Sequence, residues 1–235
     1  MHIILKPVFL FIALAFAINY SQAQTIVKEF HPDSLTNEKF LDLKRNYGNN
    51  KSLPKDFEKQ TLIALSYFPE LKDVKIKFRI KNKTSPLATR PSFTGMFRSA
   101  KRRTYFIIIS KKSISYLDTI LLQHLNYNAQ IGVLGHELSH VSDFINKGFG
   151  SMCRVACGHF SKKYVNRFEF NTDRSCINHG LGYQLLSWSI NVRLNLKSSS
   201  WLGAASLPPD ATSERYMNPS TIESILATHP LYQRH

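Results

Sequence analysis

Apolar residues change period several times along the chain, and each change marks an element. Residues 24–52 are polar and mixed, which predicts a short helix with loops. Pro54 then opens a helical pattern, with Phe57, Thr61, Ala64, Leu65 and Phe68 on one face and an end near Pro69. Val74, Ile76, Phe78 and Ile80 alternate with Lys75, Lys77, Arg79 and Lys81. Such alternation predicts a half-buried strand, and the lysine-rich outer side suits a sheet edge. Residues 82–103 hold Pro86, Pro91, Gly95 and the basic cluster Arg98, Lys101, Arg102 and Arg103, and read as an exposed loop or hairpin tip. Tyr105–Ile109 is a continuous apolar run and predicts a central strand. Helical periods follow over 128–146 and 162–190. Residues 198–218 read as a loop, and Asn218-Pro219 as the cap and first turn of a last helix reaching Ala227. Strands followed by helices give an α+β class, mainly helical, with a small antiparallel or mixed sheet ahead of the 128–146 helix.

The first residues form a separate segment. Lys6 precedes an uncharged run from Pro7 to Ile18, and Ser21 and Ala23 stand at the −3 and −1 spacing of a signal peptidase site. This is the layout of a secretory signal, with a run shorter than the about 20 residues of a comfortable bilayer span, and the rival reading is an uncleaved membrane anchor. The expected organisation is a signal over 1–23 and one domain over 24–235, exported to a periplasm or beyond the cell. The charge must be read with this in mind. Of 235 residues, 31 are Lys or Arg and 16 are Asp or Glu, a net +15, and 43% are apolar. Removing residues 1–23 takes away only Lys6 and leaves 30 against 16, or +14. The apolar content excludes a disordered chain. An exported protein has little contact with nucleic acid, so none is expected as a partner. The surplus instead points to an anionic envelope surface or an acidic substrate. Export also permits oxidation of two of Cys153, Cys157 and Cys176, in a pairing that the spacing leaves open.

Candidate chemistry sits in the 128–146 helix. Residues 136–140 read His-Glu-Leu-Ser-His. Histidines four apart lie one turn above each other, so both imidazoles reach a single ion. Glu137 follows the first and can reach a water on that ion without ligating it, as a general base would. Leu134, Leu138, Val141 and Ile145 supply an apolar stripe away from the ligands, and Gly132 and Gly135 allow close packing. A tetrahedral catalytic zinc needs a third protein ligand. A histidine six residues after His140 is ruled out, because Asn146 stands there. Glu169 can serve instead, and Asp173, one turn on, can hold the outer nitrogen of a ligand histidine.

These residues, with Thr228-His229-Pro230 and Arg234 near the C-terminus, resemble the M48 group of gluzincin metallopeptidases over about residues 125–235. The resemblance implies a zincin-like domain holding one Zn2+ through His136, His140 and Glu169. It also implies Glu137 as base, Asp173 behind the ligands, and a peptide or protein substrate beside an edge strand. His229 would stabilise the oxyanion, with Arg234 assisting. The residues themselves offer His229, Tyr232, Tyr216 and Tyr183, in that order, as the donor. No membrane-spanning run follows the leader, which favours an exported or peripheral enzyme over a membrane-embedded one. The alternative expectation is a catalytically silent zinc-fold envelope protein that binds anionic polymers or partners through Arg98, Lys101, Arg102 and Arg103.

Overall fold

A computed structural model describes residues 25–198 and 214–233. The leader, most of the 198–218 loop and Arg234 lie outside the described residues. Among the described residues the class is mixed α+β, with seven α-helices and one small sheet. Helix α1 spans Asn37–Tyr47 and α2 Glu58–Ser66, the latter entered through a 3-10 turn after Pro54. Strands β1 (Lys51–Ser52), β2 (Lys75–Lys81), β3 (Leu87–Pro91) and β4 (Thr104–Ser110) form the sheet in the order β1-β2-β4-β3. The β1–β2 and β2–β4 pairs are parallel, and β3–β4 is antiparallel. Five of the helices follow the sheet: α3 (Tyr127–Ile145), α4 (Phe149–Gly158), α5 (Lys162–Asn178), α6 (Gly182–Ser198) and α7 (Pro219–Leu226).

Helix α3 is the axis of the core. Asn126 caps it by accepting from the Ala129 N–H at 2.8 Å. From Ala129 to Ser142 every residue is buried, and helices α2, α5 and α6 and strand β3 pack around it. Ile76 and Phe78 from β2, Leu87 from β3 and Tyr105, Ile107 and Ile109 from β4 join the same core from the sheet. The glycines of α3 permit this crowding. A Cβ on Gly132 would stand 2.1 Å from the Gln184 carbonyl oxygen in α6. One on Gly135 would stand 2.5 Å from Leu181 and 3.1 Å from the Cys176 sulfur.

Four local readings of the sequence are corrected. The 162–190 helical period is two helices. Gly180, at φ +92°, donates to Ile177 while Leu181 donates to Cys176, a Schellman stop that ends α5 and restarts the chain as α6. The 82–103 segment contains β3, the free edge of the sheet. Its alternation is short and bounded by prolines, so composition alone reads as a loop. Arg103 is not part of an exposed cluster, being 1% exposed. Its Nε donates to the Arg98 carbonyl at 3.1 Å and its Nη1 to the Lys147 carbonyl at 2.6 Å. Strand β2 is covered on both sides for part of its length, since β1 pairs with it at Ile76 and Lys77. Its lysines therefore mark the outer face of the sheet more than its edge. All three cysteines are free, with Cys176 buried and Cys157 exposed on α4.

Candidate metal centre

Two helices bring the histidines and carboxylates together. His136 and His140 project from adjacent turns of α3, with ring centroids 4.8 Å apart and planes at 89°. Glu169 and Asp173 project from adjacent turns of α5, which packs alongside. Glu169 Oε2 lies 3.1 Å from His136 Nε2 and 3.3 Å from His140 Nε2. All three residues are buried, and their ligand atoms lie within 4.8 Å of one another. Bonds of about 2.0–2.1 Å to a tetrahedral ion separate neighbouring ligand atoms by about 3.3 Å. The two separations to Glu169 match that spacing, so these residues could hold a metal ion.

The opposite ring nitrogens are already committed. His136 Nδ1 bonds Asp173 Oδ1 at 2.7 Å, and Asp173 Oδ2 accepts from the Met217 N–H at 2.7 Å. The Thr172 hydroxyl donates to the Phe168 carbonyl at 2.9 Å and presents its lone pair to His140 Nδ1 at 3.3 Å. Each Nδ1 therefore carries a proton, and each Nε2, the nitrogen left to ligate, faces Glu169. Burial opposes charge on His136, but the hydrogen bonds and charges of Asp173 and Glu169 outweigh it and raise its pKa to about 10. Burial also opposes charge on Glu169, yet His136 and His140 hold its carboxyl far below the usual carboxylate range. Both directions describe a pocket that favours a cation among its carboxylates.

Glu137 faces the same space and is held by the sheet. Thr89 of β3 donates its hydroxyl to Glu137 Oε2 at 2.6 Å. Beside it run two hollows of 480 Å³ each. One follows β3 past Thr89 and Arg90 to His140, Met152 and Phe168. The other is apolar and enters between Leu87, Val133, Trp188, Val192 and Ile222. His136, Glu137, Arg215 and Tyr216 border both. The Tyr216 ring lies 5.7 Å from that of His136, and Trp188 lies 5.2 Å from it on another side. Burial, then the negative charge of Glu169, pushes the Tyr216 hydroxyl far above its ordinary pKa, so it stays a proton donor.

The structure assembles five of the expected site residues, His136, Glu137, His140, Glu169 and Asp173. It places His229 and Tyr232 elsewhere. His229 Nε2 bonds Asn178 Oδ1 at 3.0 Å, at the end of α5, about 13 Å along the helix from Glu169. Tyr232 donates to the Ile177 carbonyl and accepts from the Gly182 N–H, which locks the α5–α6 corner. Tyr183 packs on Tyr232 there, at 5.4 Å. Of the four donor candidates, only Tyr216 borders the metal centre. Sequence reading missed Thr89, Thr172 and Trp188. Thr172 had a signal, since it follows Glu169 by three residues on the same helical face. Thr89 had none, because its strand was hidden. No protein-family model, no curated protein and no solved structure matches the chain.

Proposed function

We propose that the protein is a zinc-dependent peptidase of the zincin type, acting after export. The observation that carries this reading is the buried His136/His140/Glu169 group with the Glu137 carboxylate beside it on a shared cleft. A zinc ion held by the two Nε2 atoms and Glu169 would supply Lewis acidity and a water whose pKa is lowered to about 7. Two imidazoles and one carboxylate suit zinc better than the harder, all-oxygen cations.

The chain's own residues supply the rest. Glu137 receives the proton of the attacking water and returns it to the leaving amine. Thr89 fixes that carboxylate through Oε2. Asp173 and Thr172 keep both imidazoles in the ligating tautomer. Tyr216, held neutral, donates to the oxygen that gains charge on the substrate carbonyl.

The register of the sheet supports a strand-like substrate. Ser110 donates to Pro86 and Ser92 to Thr104, so the even-numbered residues of β3 face β4. The backbone N–H and C=O of Thr89 therefore point to the free edge. A peptide lying along the β3 hollow pairs with that backbone and passes its carbonyl under Glu137. The test compares the secreted chain with its Glu137→Gln variant. Equal zinc content, with chelator-sensitive casein cleavage only in the unmodified chain, is expected. Undiminished cleavage by Glu137→Gln refutes the role of this carboxylate, and full activity without bound metal refutes the whole reading.

A further inference from the structure

The net charge of the chain has a single source. From Val74 to Leu117 there are twelve Lys or Arg residues and no Asp or Glu. From Phe144 to Phe168 there are five Lys or Arg and again no acid. The remaining residues hold 14 basic and 16 acidic side chains, so these two segments account for the whole excess.

The two segments meet in space. Phe97, at the end of the 3-10 turn Thr94–Phe97, stacks on Phe149 at the start of α4 with centroids 5.3 Å apart. Phe93 sits edge-on to Phe97 at 6.4 Å. These rings are not core residues. Phe93 is 76% exposed, Phe97 72% and Phe149 48%, and Phe160 just beyond the far end of α4 is 95% exposed. At roughly 200 Å² a ring, the uncovered surface of the three rings in contact is about 400 Å², within the range of the largest apolar patch of a monomer, and Phe160 adds about 200 Å² at the other end of α4. Helix α4 buries Met152 and Val155 and turns Ala156 and Cys157 outward, with Arg154 as its one charge. Arg98 and Arg102 are exposed on one side of this surface and Lys162 and Lys163 on another. Buried Arg103 ties the two halves together through the Arg98 and Lys147 carbonyls, so the aromatics sit on a braced platform.

We propose that the turn Thr94–Phe97 and the outer side of α4 form a docking surface for an anionic phospholipid bilayer. Phenylalanine rings beside a helix with almost no outward charge suit insertion at the headgroup–acyl boundary. A cationic rim without a nearby free carboxylate suits anionic headgroups and disfavours neutral ones. No helix among the described residues is long and apolar enough to cross a membrane. Phe93 and Met96 of this turn also line the β3 hollow. Docking therefore sets the mouth of the hollow at the membrane surface and favours membrane-proximal polypeptides. That last step rests on the peptidase reading, whereas lipid binding does not.

The test is co-sedimentation of the Glu137→Gln full chain with phosphatidylcholine vesicles, with and without phosphatidylglycerol. Binding only to the phosphatidylglycerol vesicles, weakened by salt, is expected. Phe97→Ser/Phe149→Ser and Arg98→Glu/Arg102→Glu should each lower partitioning by about tenfold or more. All four positions are exposed, so unchanged circular dichroism and melting will show that the variants fold. A Phe97→Trp probe should shift its emission to the blue on anionic vesicles only. Absence of vesicle binding at low salt overturns the proposal. So does binding unaffected by the phenylalanine changes, or a Phe97-dependent self-association without vesicle binding. Vesicle binding as expected, with no chelator-sensitive cleavage by the unmodified chain, would sink the enzymatic reading alone.

Discussion

Replacing Asp173 with Asn tests the metal centre at its support. Both carboxylate oxygens face donors, His136 Nδ1 at 2.7 Å and the Met217 N–H at 2.7 Å, and the side chain is 1% exposed. An amide of the same shape has one acceptor oxygen, so in either orientation its NH2 meets an N–H. With the NH2 toward Met217, a buried backbone donor is orphaned at a cost of about 1–3 kcal/mol. With the NH2 toward His136, the imidazole keeps its contact only by moving its proton to Nε2, the atom that must ligate. Loss of such a supporting carboxylate weakens metal binding by about 10–100-fold, or about 1.4–2.8 kcal/mol. Competition against a chromophoric chelator measures the zinc Kd, and thermal melting of the chelated chain measures the fold. The expected result is a weaker Kd by at least tenfold with a lowered melting temperature. A Kd within about threefold of the parent, with melting unchanged, would refute the proposed tautomer control.

Other outcomes follow from neighbouring contacts. Thr89→Val removes the 2.6 Å hydrogen bond to Glu137 at nearly constant volume. At about 1.5–3 kcal/mol for a bond to a charged group, kcat should fall roughly 10–100-fold with zinc content unchanged, and a normal kcat would refute the positioning role. Gly132→Ala drives a methyl to 2.1 Å from a backbone carbonyl that no rotamer change can move. Overpacking of about 1–3 kcal/mol should outweigh a gain in helix propensity of about 1 kcal/mol, and a raised melting temperature would contradict the tight α3–α6 seam. Glu70 accepts from Ser142 at 2.5 Å and from His179 at 2.9 Å, and although burial opposes its charge these bonds hold its carboxyl below the usual range. Its contribution is therefore complete above the unfolded carboxylate range and lost as the pH falls through the folded value. Glu70→Gln should flatten the acid limb of the stability curve, and an unaltered limb would show that the bond carries no such linkage.

Legibility in the sequence followed the locality of each signal. The His-Glu-x-x-His helix and the Glu169/Asp173 face were readable because their geometry is set within one helix turn. The Val74–Ile80 and Tyr105–Ile109 strands were readable because their periods run for five residues or more. Strand β3 was hidden because it spans five residues with a proline at each end, and Thr89 was hidden with it. Arg103 looked exposed because composition reports a neighbourhood, whereas its burial depends on carbonyls at Arg98 and Lys147. His229 was favoured by the order of short motifs along the chain. Its position depends on where α7 and the final 3-10 turn leave it, and they leave it at Asn178. Tyr216 ranked below it, although one packing contact with His136 is what sets the two apart.

Helix α3 is both the carrier of two ligands and the most enclosed element of the described chain, with no exposed residue from Ala129 to Ser142. Its opening is then no local event. Amide exchange over Ile131–Val141 should track global unfolding, while β3, with one free edge, should breathe at far lower cost. A metal ion held by residues on the last segment to open would exchange only as fast as the whole domain unfolds, or as fast as the ion escapes through the cleft itself. On the proposed function, the edge strand would meanwhile flex to admit a peptide without loosening the histidines. The architecture separates the part that must hold from the part that must yield.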